Sequence, residues 1–280
     1  MMPNPILQEH QRRNCETRDA RSAMSGHRAR VTQLIRESCP DGPASLCVLG
    51  AGNGNDIELP ELVRCFERIT LVDLDEESLS HAVSNLEGVS ASVNLHGGVD
   101  VTGLLETFSS WNGRTVSERD AVAAIEIAQG ASAPDIGKFD VVASTCLLTQ
   151  LIDSICMAMP AGHPRFLELL LAVRNRHLEM IAELLNPNGI GILVSDFVSS
   201  KTAPELAAMS DSEVPDAAMH WIKNQNFFTG VNPFMLRSHY QTDLAIAALV
   251  EFKKMTRPWK WNIGMKQFAV CALSVQRLDN

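Results

Sequence analysis

From residue 45 onward, short apolar runs alternate with longer segments of helical periodicity. Strands that alternate with helices in this way are typical of repeated βα units and a mainly parallel sheet. The candidate strands are residues 46–49, 69–72, 91–95, 139–143 and 190–194. The candidate helices are residues 60–66, 76–85, 119–129, 147–158 and 164–185. This pattern constrains the chain to a doubly wound α/β fold.

Both ends of the chain add to this pattern. Residues 259–263 and 267–273 are two further strand candidates joined by a turn around Gly264, which predicts a C-terminal β-hairpin and seven strands in total. Residues 18–38 have the spacing of an amphipathic helix, so we expect residues 1–43 to form an N-terminal helical cap on a domain of residues 44–280. Residues 199–240 are rich in Ser, Asp, Asn and Pro, which predicts an inserted lid.

The first candidate strand runs directly into a glycine-rich loop, Gly50-Ala51-Gly52-Asn53-Gly54. Glycines permit positive φ and allow backbone N–H groups to approach a ligand closely. The dinucleotide fingerprint GxGxxG requires a third glycine where this chain has Asn55. Pro60 is tolerated only in the first turn of a helix, so the following helix starts no earlier than about Glu58. The loop is therefore wider than a loop that binds NAD.

Acidic residues follow the next two candidate strands. Asp73 lies 19 residues after Gly54, at the carboxyl edge of the sheet where ligands of such folds bind, and it can accept both hydroxyls of a ribose. Asp100 follows the third strand and can accept a hydrogen bond from an exocyclic amine such as that of adenine. Three consecutive strand ends therefore carry the chemistry of a nucleoside site.

Residues 48–54, residues 72–75, the Asp100 loop and Phe139-Asp140-Val141-Val142 together resemble the successive motifs of class I S-adenosylmethionine (SAM)-dependent methyltransferases. The resemblance covers residues 45–198 and implies SAM as the cofactor. It implies that the loop wraps the methionine part of SAM, that the second strand end holds the ribose, that the third brackets adenine, and that the fourth lies beside the sulfonium. The residues so implied are Gly50, Ala51, Gly52 and Gly54, then Asp73 and Leu74, then Asp100 and Val101, then Ser144 and Thr145.

One position departs from the family pattern. The family often has an acidic residue two positions before the first glycine, and this chain has Val48 there. Asp56 is a candidate replacement, although the role of a helix N-cap or turn residue is the simpler interpretation.

The methyl acceptor leaves a weaker signal, and we assign no catalytic residue. Strand ends and the predicted lid supply polar candidates for substrate contact, and His is the usual general base near neutral pH. For each of these residues, capping a loop or packing against its neighbours is an equally simple interpretation. These candidates are Gln150, Asp196, His220, Asn232, His239 and Tyr240.

The amino-acid composition limits the classes of substrate and partner that this chain is expected to bind. The chain has 24 Lys and Arg against 33 Asp and Glu, a formal net charge of −9, and no long basic cluster, which disfavours nucleic acid and favours a small-molecule substrate. Its seven cysteines form no CxxC pair and no zinc-type spacing, so we expect reduced thiols, no metal and a cytoplasmic protein. No apolar stretch is long enough for a signal core or a membrane span.

The sequence thus predicts a methyltransferase that acts on an unidentified small molecule. A SAM-binding module without catalysis remains open as an alternative. An NAD(P)-dependent oxidoreductase is disfavoured by Asn55 and by the delayed helix. An aminopropyl transferase is disfavoured because the loop lacks a Gly-Gly-Asp-Gly pattern.

Overall fold

A computed structural model of the chain describes residues 4–84, 92–111 and 115–279. Its strands form one sheet in the order β3-β2-β1-β4-β5-β8-β6, with β7 paired to the outer part of β8. Strands β1 to β5 are parallel, and β8 is antiparallel to β5, β6 and β7. The strands are β1 (Ser45–Leu49), β2 (Arg68–Val72), β3 (Val93–His96), β4 (Phe139–Thr145), β5 (Leu185–Ser199), β6 (Val250–Met255), β7 (Trp259–Ile263) and β8 (Lys266–Arg277). The doubly wound, mainly parallel sheet and the C-terminal hairpin are confirmed.

The sheet differs from the prediction in two places. The described residues contain eight strands rather than seven, because β6 (Val250–Met255) forms the edge beside β8. Its sequence, Val-Glu-Phe-Lys-Lys-Met, carries the lysines typical of an edge strand that resists further pairing, and this weakens its apolar signal. Strand β5 also starts earlier than residue 190, since its pairing with β4 is irregular and Pro187 and Gly189 lie inside that irregular stretch.

Helices lie on both faces of the sheet, and most match the predicted segments within a few residues. The N-terminal segment forms two helices rather than one, because residues 18–24 turn through a short 3₁₀ segment. Helix α3 is only four residues long because β2 begins at Arg68. The helices are α1 (Pro5–Thr17), α2 (Ser25–Glu37), α3 (Leu59–Leu62), α4 (Glu76–Val83), α5 (Leu105–Trp111), α6 (Glu118–Gly130), α7 (Leu147–Ala158), α8 (Phe166–Glu183), α9 (Val214–Lys223), α10 (Pro233–Thr242) and α11 (Leu244–Ala247).

Two hydrophobic clusters sandwich the sheet. Residues of α5 to α8 pack on one face, and residues of α2 to α4 and β7 pack on the other. All five residues of β1 are buried, as expected for a central parallel strand covered on both faces. This arrangement places the ends of β1, β2, β4 and β5 along one carboxyl edge. In the part of the chain that the structure describes, no helix has the length and apolar character needed to cross a bilayer.

Candidate active site

The loop after β1 adopts a conformation that favours glycine. Gly50, Gly52 and Gly54 all have positive φ, at 74°, 48° and 69°. The backbone N–H groups of Gly50 and Ala51 both donate to the carbonyl oxygen of Val72, at 2.9 and 3.2 Å, and this fixes the loop against the end of β2. A Cβ atom on Gly50 would lie 2.8 Å from a side-chain carbon at the start of α7, so the loop and that helix are in close contact.

Asp73 is held directly beneath this loop. Its Oδ2 accepts a hydrogen bond from the backbone N–H of Gly52 at 2.8 Å, and its Oδ1 accepts one from the N–H of Asp75 at 2.9 Å. Burial raises the pKa of Asp73, while these two hydrogen bonds act in the opposite direction. A carboxylate offers about four acceptor positions, so each oxygen retains capacity for a further donor. The arrangement suits a pair of neighbouring hydroxyl groups, as expected for a ribose.

Helix α1 covers the glycine loop, and two asparagines of the loop region attach it. The Nδ2 group of Asn53 donates to the carbonyl oxygen of Asn14 at 2.7 Å, and that of Asn55 donates to the carbonyl of Thr17, also at 2.7 Å. Carbonyl groups in the last turn of a helix lack intrahelical partners, so side-chain amides can satisfy them. Asn14 in turn donates to Asp75 Oδ2 at 3.0 Å. Asn55, which breaks the dinucleotide fingerprint, thus holds the N-terminal helix in place.

The opposite side of α1 contacts α7. His10 Nε2 lies 2.8 Å from the hydroxyl of Ser154, and Arg13 forms an ion pair with Asp153 at 2.6 Å. Burial lowers the pKa of His10, which favours the neutral imidazole. Gln150 lies in the same region and donates to the carbonyl of the first residue after β4 at 3.3 Å. Helix α1 therefore spans the edge from α4 to α7. It precedes the helix predicted over residues 18–38, so the sequence pattern did not indicate it.

Asp100 has a structural role in addition to its predicted one. Its Oδ1 accepts from the backbone N–H and the hydroxyl of Thr102, at 2.9 and 2.6 Å, and its Oδ2 accepts from the N–H of Leu105 at 2.7 Å. These bonds shape the turn that leads into α5. Val101 is buried beside it. Contact of Asp100 and Val101 with adenine stays a prediction.

The two residues at the end of β4 face different ways. Thr145 Oγ1 donates to the carbonyl of Gly50 at 3.2 Å and so belongs to the glycine loop. Ser144 is buried, and its Oγ lies 2.8 Å from His177 Nε2 on α8. Burial lowers the pKa of His177 to about 4, so this imidazole is neutral. Alternate residues of a strand point to opposite faces, so the Ser144 side chain is directed toward α8 and that of Thr145 toward the loop, and contact of either residue with the cofactor stays a prediction.

Among the acceptor-side candidates, Asp196 lies at the carboxyl edge. It is buried near the end of β5, and its Oδ1 accepts from Thr149 Oγ1 at 2.5 Å. Burial raises its pKa to about 6. Asp56 comes close as well, but not as the N-cap considered above, since Glu58 holds that position at α3. Asp56 Oδ1 instead lies 3.2 Å from His27 Nε2 in the first turn of α2.

The remaining four candidates lie in other surroundings. Asn232 is the N-cap of α10, accepting from Phe234 N–H at 2.9 Å. His220 is exposed on α9 and lies 2.9 Å from Asn224 Nδ2. Tyr240 belongs to the apolar core, and burial raises the pKa of its hydroxyl. Burial lowers the pKa of His239, whose Nδ1 lies 3.9 Å from Asp243 Oδ2. In residues 4–84, 92–111 and 115–279, none of these hydrogen bonds or ion pairs reaches the glycine loop.

Among those same residues, no group of three His, Cys, Asp or Glu side chains could hold a metal ion.

The sheet has the order β3-β2-β1-β4-β5 with an antiparallel strand beside β5, and it is the doubly wound, mainly parallel sheet with a C-terminal hairpin that the sequence predicted. The chain has the fold of class I methyltransferases. No protein-family model and no curated protein matches the sequence.

Several solved structures resemble it at low identity. A protein of echinomycin biosynthesis, from a study of the conversion of a disulfide bond into a thioacetal, shares 11% identity over 90% of this chain and 82% of its own, with a TM-score of 0.47. Magnesium protoporphyrin IX methyltransferase from Synechocystis, with bound SAM, shares 13% over 90% and 80%, with a TM-score of 0.45. An rRNA methylase from Streptococcus thermophilus shares 11% over 89% and 94%, with a TM-score of 0.38.

Proposed function

We propose that this protein is a SAM-dependent methyltransferase that acts on a small molecule. The observation that carries the proposal is the geometry of Asp73, whose two carboxylate oxygens are positioned by Gly52 N–H and Asp75 N–H beneath the glycine loop. A half-buried carboxylate at the carboxyl edge of the first two strands is suited to the two ribose hydroxyls of a nucleoside cofactor.

The residues that would hold the cofactor lie at or after the carboxyl ends of β1, β2, β3 and β4 in the chain. The glycine loop would contact its methionine part, Asp73 and Leu74 its ribose, and Asp100 and Val101 its adenine. Ser144 and Thr145 would lie beside the sulfonium, with Thr145 hydrogen-bonded to the loop. When bound, SAM supplies an activated methyl group, so the protein has to align the acceptor, exclude water and, where needed, remove a proton.

Helix α1 would exclude water from the cofactor site. It lies across the loop and is attached at both sides, by Asn53 and Asn55 near its C-terminus and by the ion pair of Arg13 with α7. Exchange of ligand then requires α1 to move. The same cover, together with the net charge of −9, supports a small acceptor rather than a nucleic acid duplex.

Two features of the loop argue against an NAD(P)-dependent oxidoreductase. A dinucleotide loop places a helix N-terminus directly at the pyrophosphate. Here α3 begins only at Leu59, and Asn55 is engaged with α1. The space after the loop is therefore filled by the protein itself.

Isothermal titration calorimetry with S-adenosylhomocysteine, the demethylated product, tests the cofactor assignment. We expect the native protein to bind it and Asp73→Asn to bind about 10–100-fold more weakly, since a hydrogen bond to a charged group contributes about 1.5–3 kcal/mol. Asp216→Asn, an exposed residue of α9, is the matched control and should bind as the native protein does. Circular dichroism checks that each variant is folded. Absence of binding by the native protein, or unchanged binding by Asp73→Asn, contradicts the assignment, and tight binding of NADH would favour the rival.

A further inference from the structure

The side chain of Asn14 on α1 faces the glycine loop next to Asp73. The position that a Cβ atom would take on Gly52 lies 3.5 Å from Asn14 Oδ1 and 4.0 Å from Asp73 Oδ2. Apart from the residues adjacent to Gly52 in the chain, no other atom of the described structure lies within 4 Å of that position. Both distances are ordinary van der Waals contacts, so a group as large as a methyl fits between the helix and the loop. Two oxygen atoms that can accept hydrogen bonds border this space.

The hydrogen bonds of Asn14 fix which end of its amide faces the loop. Its Nδ2 group donates to Asp75 Oδ2 at 3.0 Å, and an ionised carboxylate can only accept. The nitrogen therefore has to face Asp75, and Oδ1 has to face Gly52. The backbone carbonyl of Asn14 is held as well, because it accepts from Asn53 Nδ2 at 2.7 Å. Asn14 thus presents a free acceptor oxygen to the loop in one defined orientation.

The interface between α1 and the loop is short of donors. In residues 4–84, 92–111 and 115–279, no donor lies within hydrogen-bond distance of Asn14 Oδ1. Asn53 is 8% exposed, and its Oδ1 is buried without a partner in the same part of the chain. Because Asn53 Nδ2 faces a carbonyl, its amide cannot be turned round to satisfy that oxygen. Buried acceptors without partners are rare in native proteins and require a reason.

The chemistry of this space selects the group that fits it. A hydroxyl group is a donor and is about as large as a methyl. A phosphate or carboxylate would instead bring more acceptor oxygens and a negative charge next to Asp73. The neighbouring hydroxyls of a ribose match both the size of the space and its need for donors.

We propose that Asn14 Oδ1 accepts a hydrogen bond from one of the two ribose hydroxyls that Asp73 holds, so that the N-terminal helix forms part of the cofactor site. The inference rests on the proposed function. Asn14 is a residue of α1, so this contact exists only while α1 is docked on the loop. Binding of the cofactor and docking of α1 therefore strengthen each other by the same factor. Asn14 would also select a ribonucleoside over a deoxyribonucleoside.

Calorimetry with S-adenosylhomocysteine and its 2′-deoxy and 3′-deoxy analogues tests this contact. We expect Asn14→Ala to bind S-adenosylhomocysteine about 3–10-fold more weakly than the native protein, as the loss of one or two hydrogen bonds implies. The affinity that the native protein loses when one of the two hydroxyls is removed should become about threefold smaller or less in Asn14→Ala, because the variant lacks the acceptor for that hydroxyl. A role of Asn14 that is only structural would not change this difference between ligands.

Arg18→Gln is the matched control. Arg18 lies directly after α1 and forms an ion pair with Glu77 at 2.8 Å, so the substitution loosens the docking of α1 and leaves Asn14 in place. We expect it to change the affinity for all three ligands by the same factor. Circular dichroism checks that both variants are folded.

Amide hydrogen exchange of the native protein gives a second test, which holds even if Asn14→Ala does not fold. At saturating concentrations, S-adenosylhomocysteine should slow exchange in residues 14–17 about threefold more than the deoxy analogue that lacks the bound hydroxyl. Equal protection by all three ligands overturns the inference.

The outcomes separate the two proposals. A native protein that does not bind S-adenosylhomocysteine refutes the proposed function. If the native protein binds it and Asn14→Ala loses as much affinity as the native protein on removal of either hydroxyl, the role of Asn14 alone is refuted. A similar reduction of that loss in Arg18→Gln also overturns the inference, because it assigns the effect to the docking of α1 rather than to the oxygen of Asn14.

Discussion

Replacing Asp196 with asparagine should stabilise the protein at neutral pH, although it removes a native hydrogen-bonding group. Burial raises the pKa of Asp196 from 3.8 to about 6, so the folded protein disfavours the charged form. Each unit of such a shift corresponds to 1.36 kcal/mol, which gives about 3 kcal/mol for the ionised carboxylate. Asparagine has the same shape, carries no charge, and keeps an oxygen that can accept from Thr149 Oγ1.

The sign of the pH dependence follows from the direction of the shift. A carboxylate with a raised pKa contributes stability that is fully present below 3.8 and is lost as the pH rises through about 6. The advantage of Asp196→Asn over the native protein should therefore grow from about 1 kcal/mol at pH 4.5 to about 3 kcal/mol at pH 7.5. Urea unfolding followed by circular dichroism measures both values. An advantage that is equal at the two pH values, or a loss of stability at pH 7.5, would refute the reasoning.

Three further predictions concern the glycine loop, His27 and helix α1. Gly50→Ala should lower the free energy of unfolding by about 2–4 kcal/mol in a urea titration, because the new Cβ would lie 2.8 Å from a side-chain atom of α7 and φ is positive there. The control is Gly26→Ala in α2, where a Cβ meets nothing within 4 Å, and it should be neutral or stabilising. In Trp259→Phe, His27 loses the donor at Nδ1, so ¹⁵N chemical shifts of this imidazole should change from the pure Nε2–H tautomer to a mixture. Arg13→Gln removes an ion pair between α1 and α7, and amide hydrogen exchange should become faster in α1 but not in β1.

Much of the fold could be predicted because its signals are local. Strands β1 and β4 are short, mainly apolar segments covered on both faces, and helix α7 follows the 3.6-residue period, with its predicted bounds confirmed. Strand β6 was not predicted, because it contains three charged residues and few apolar ones. The predicted strand 91–95 starts at a residue outside the described ones, and β3 is described from Val93.

The candidate site divides in a similar way. The glycine loop and Asp73 lie within 24 residues of each other and follow two adjacent strands, so spacing alone brings them together. Asn14 and Asn55 could have been found only by placing α1 on the loop, and no periodicity encodes that contact. The hydrogen bond of Ser144 to His177 could not be predicted, because sequence does not reveal which face of β4 each residue takes at the strand end.

The surroundings of His27 could not be predicted from the sequence. They combine segments that span positions 27 to 261, and they form only when Trp259 donates to His27 and Asp56 lies opposite. A buried carboxylate such as Asp196 that costs the folded state about 3 kcal/mol is difficult to explain by stability alone. If asparagine at this position raises the stability at neutral pH, as argued above, the carboxylate is kept at a cost to the fold, which is the pattern of a residue retained for function.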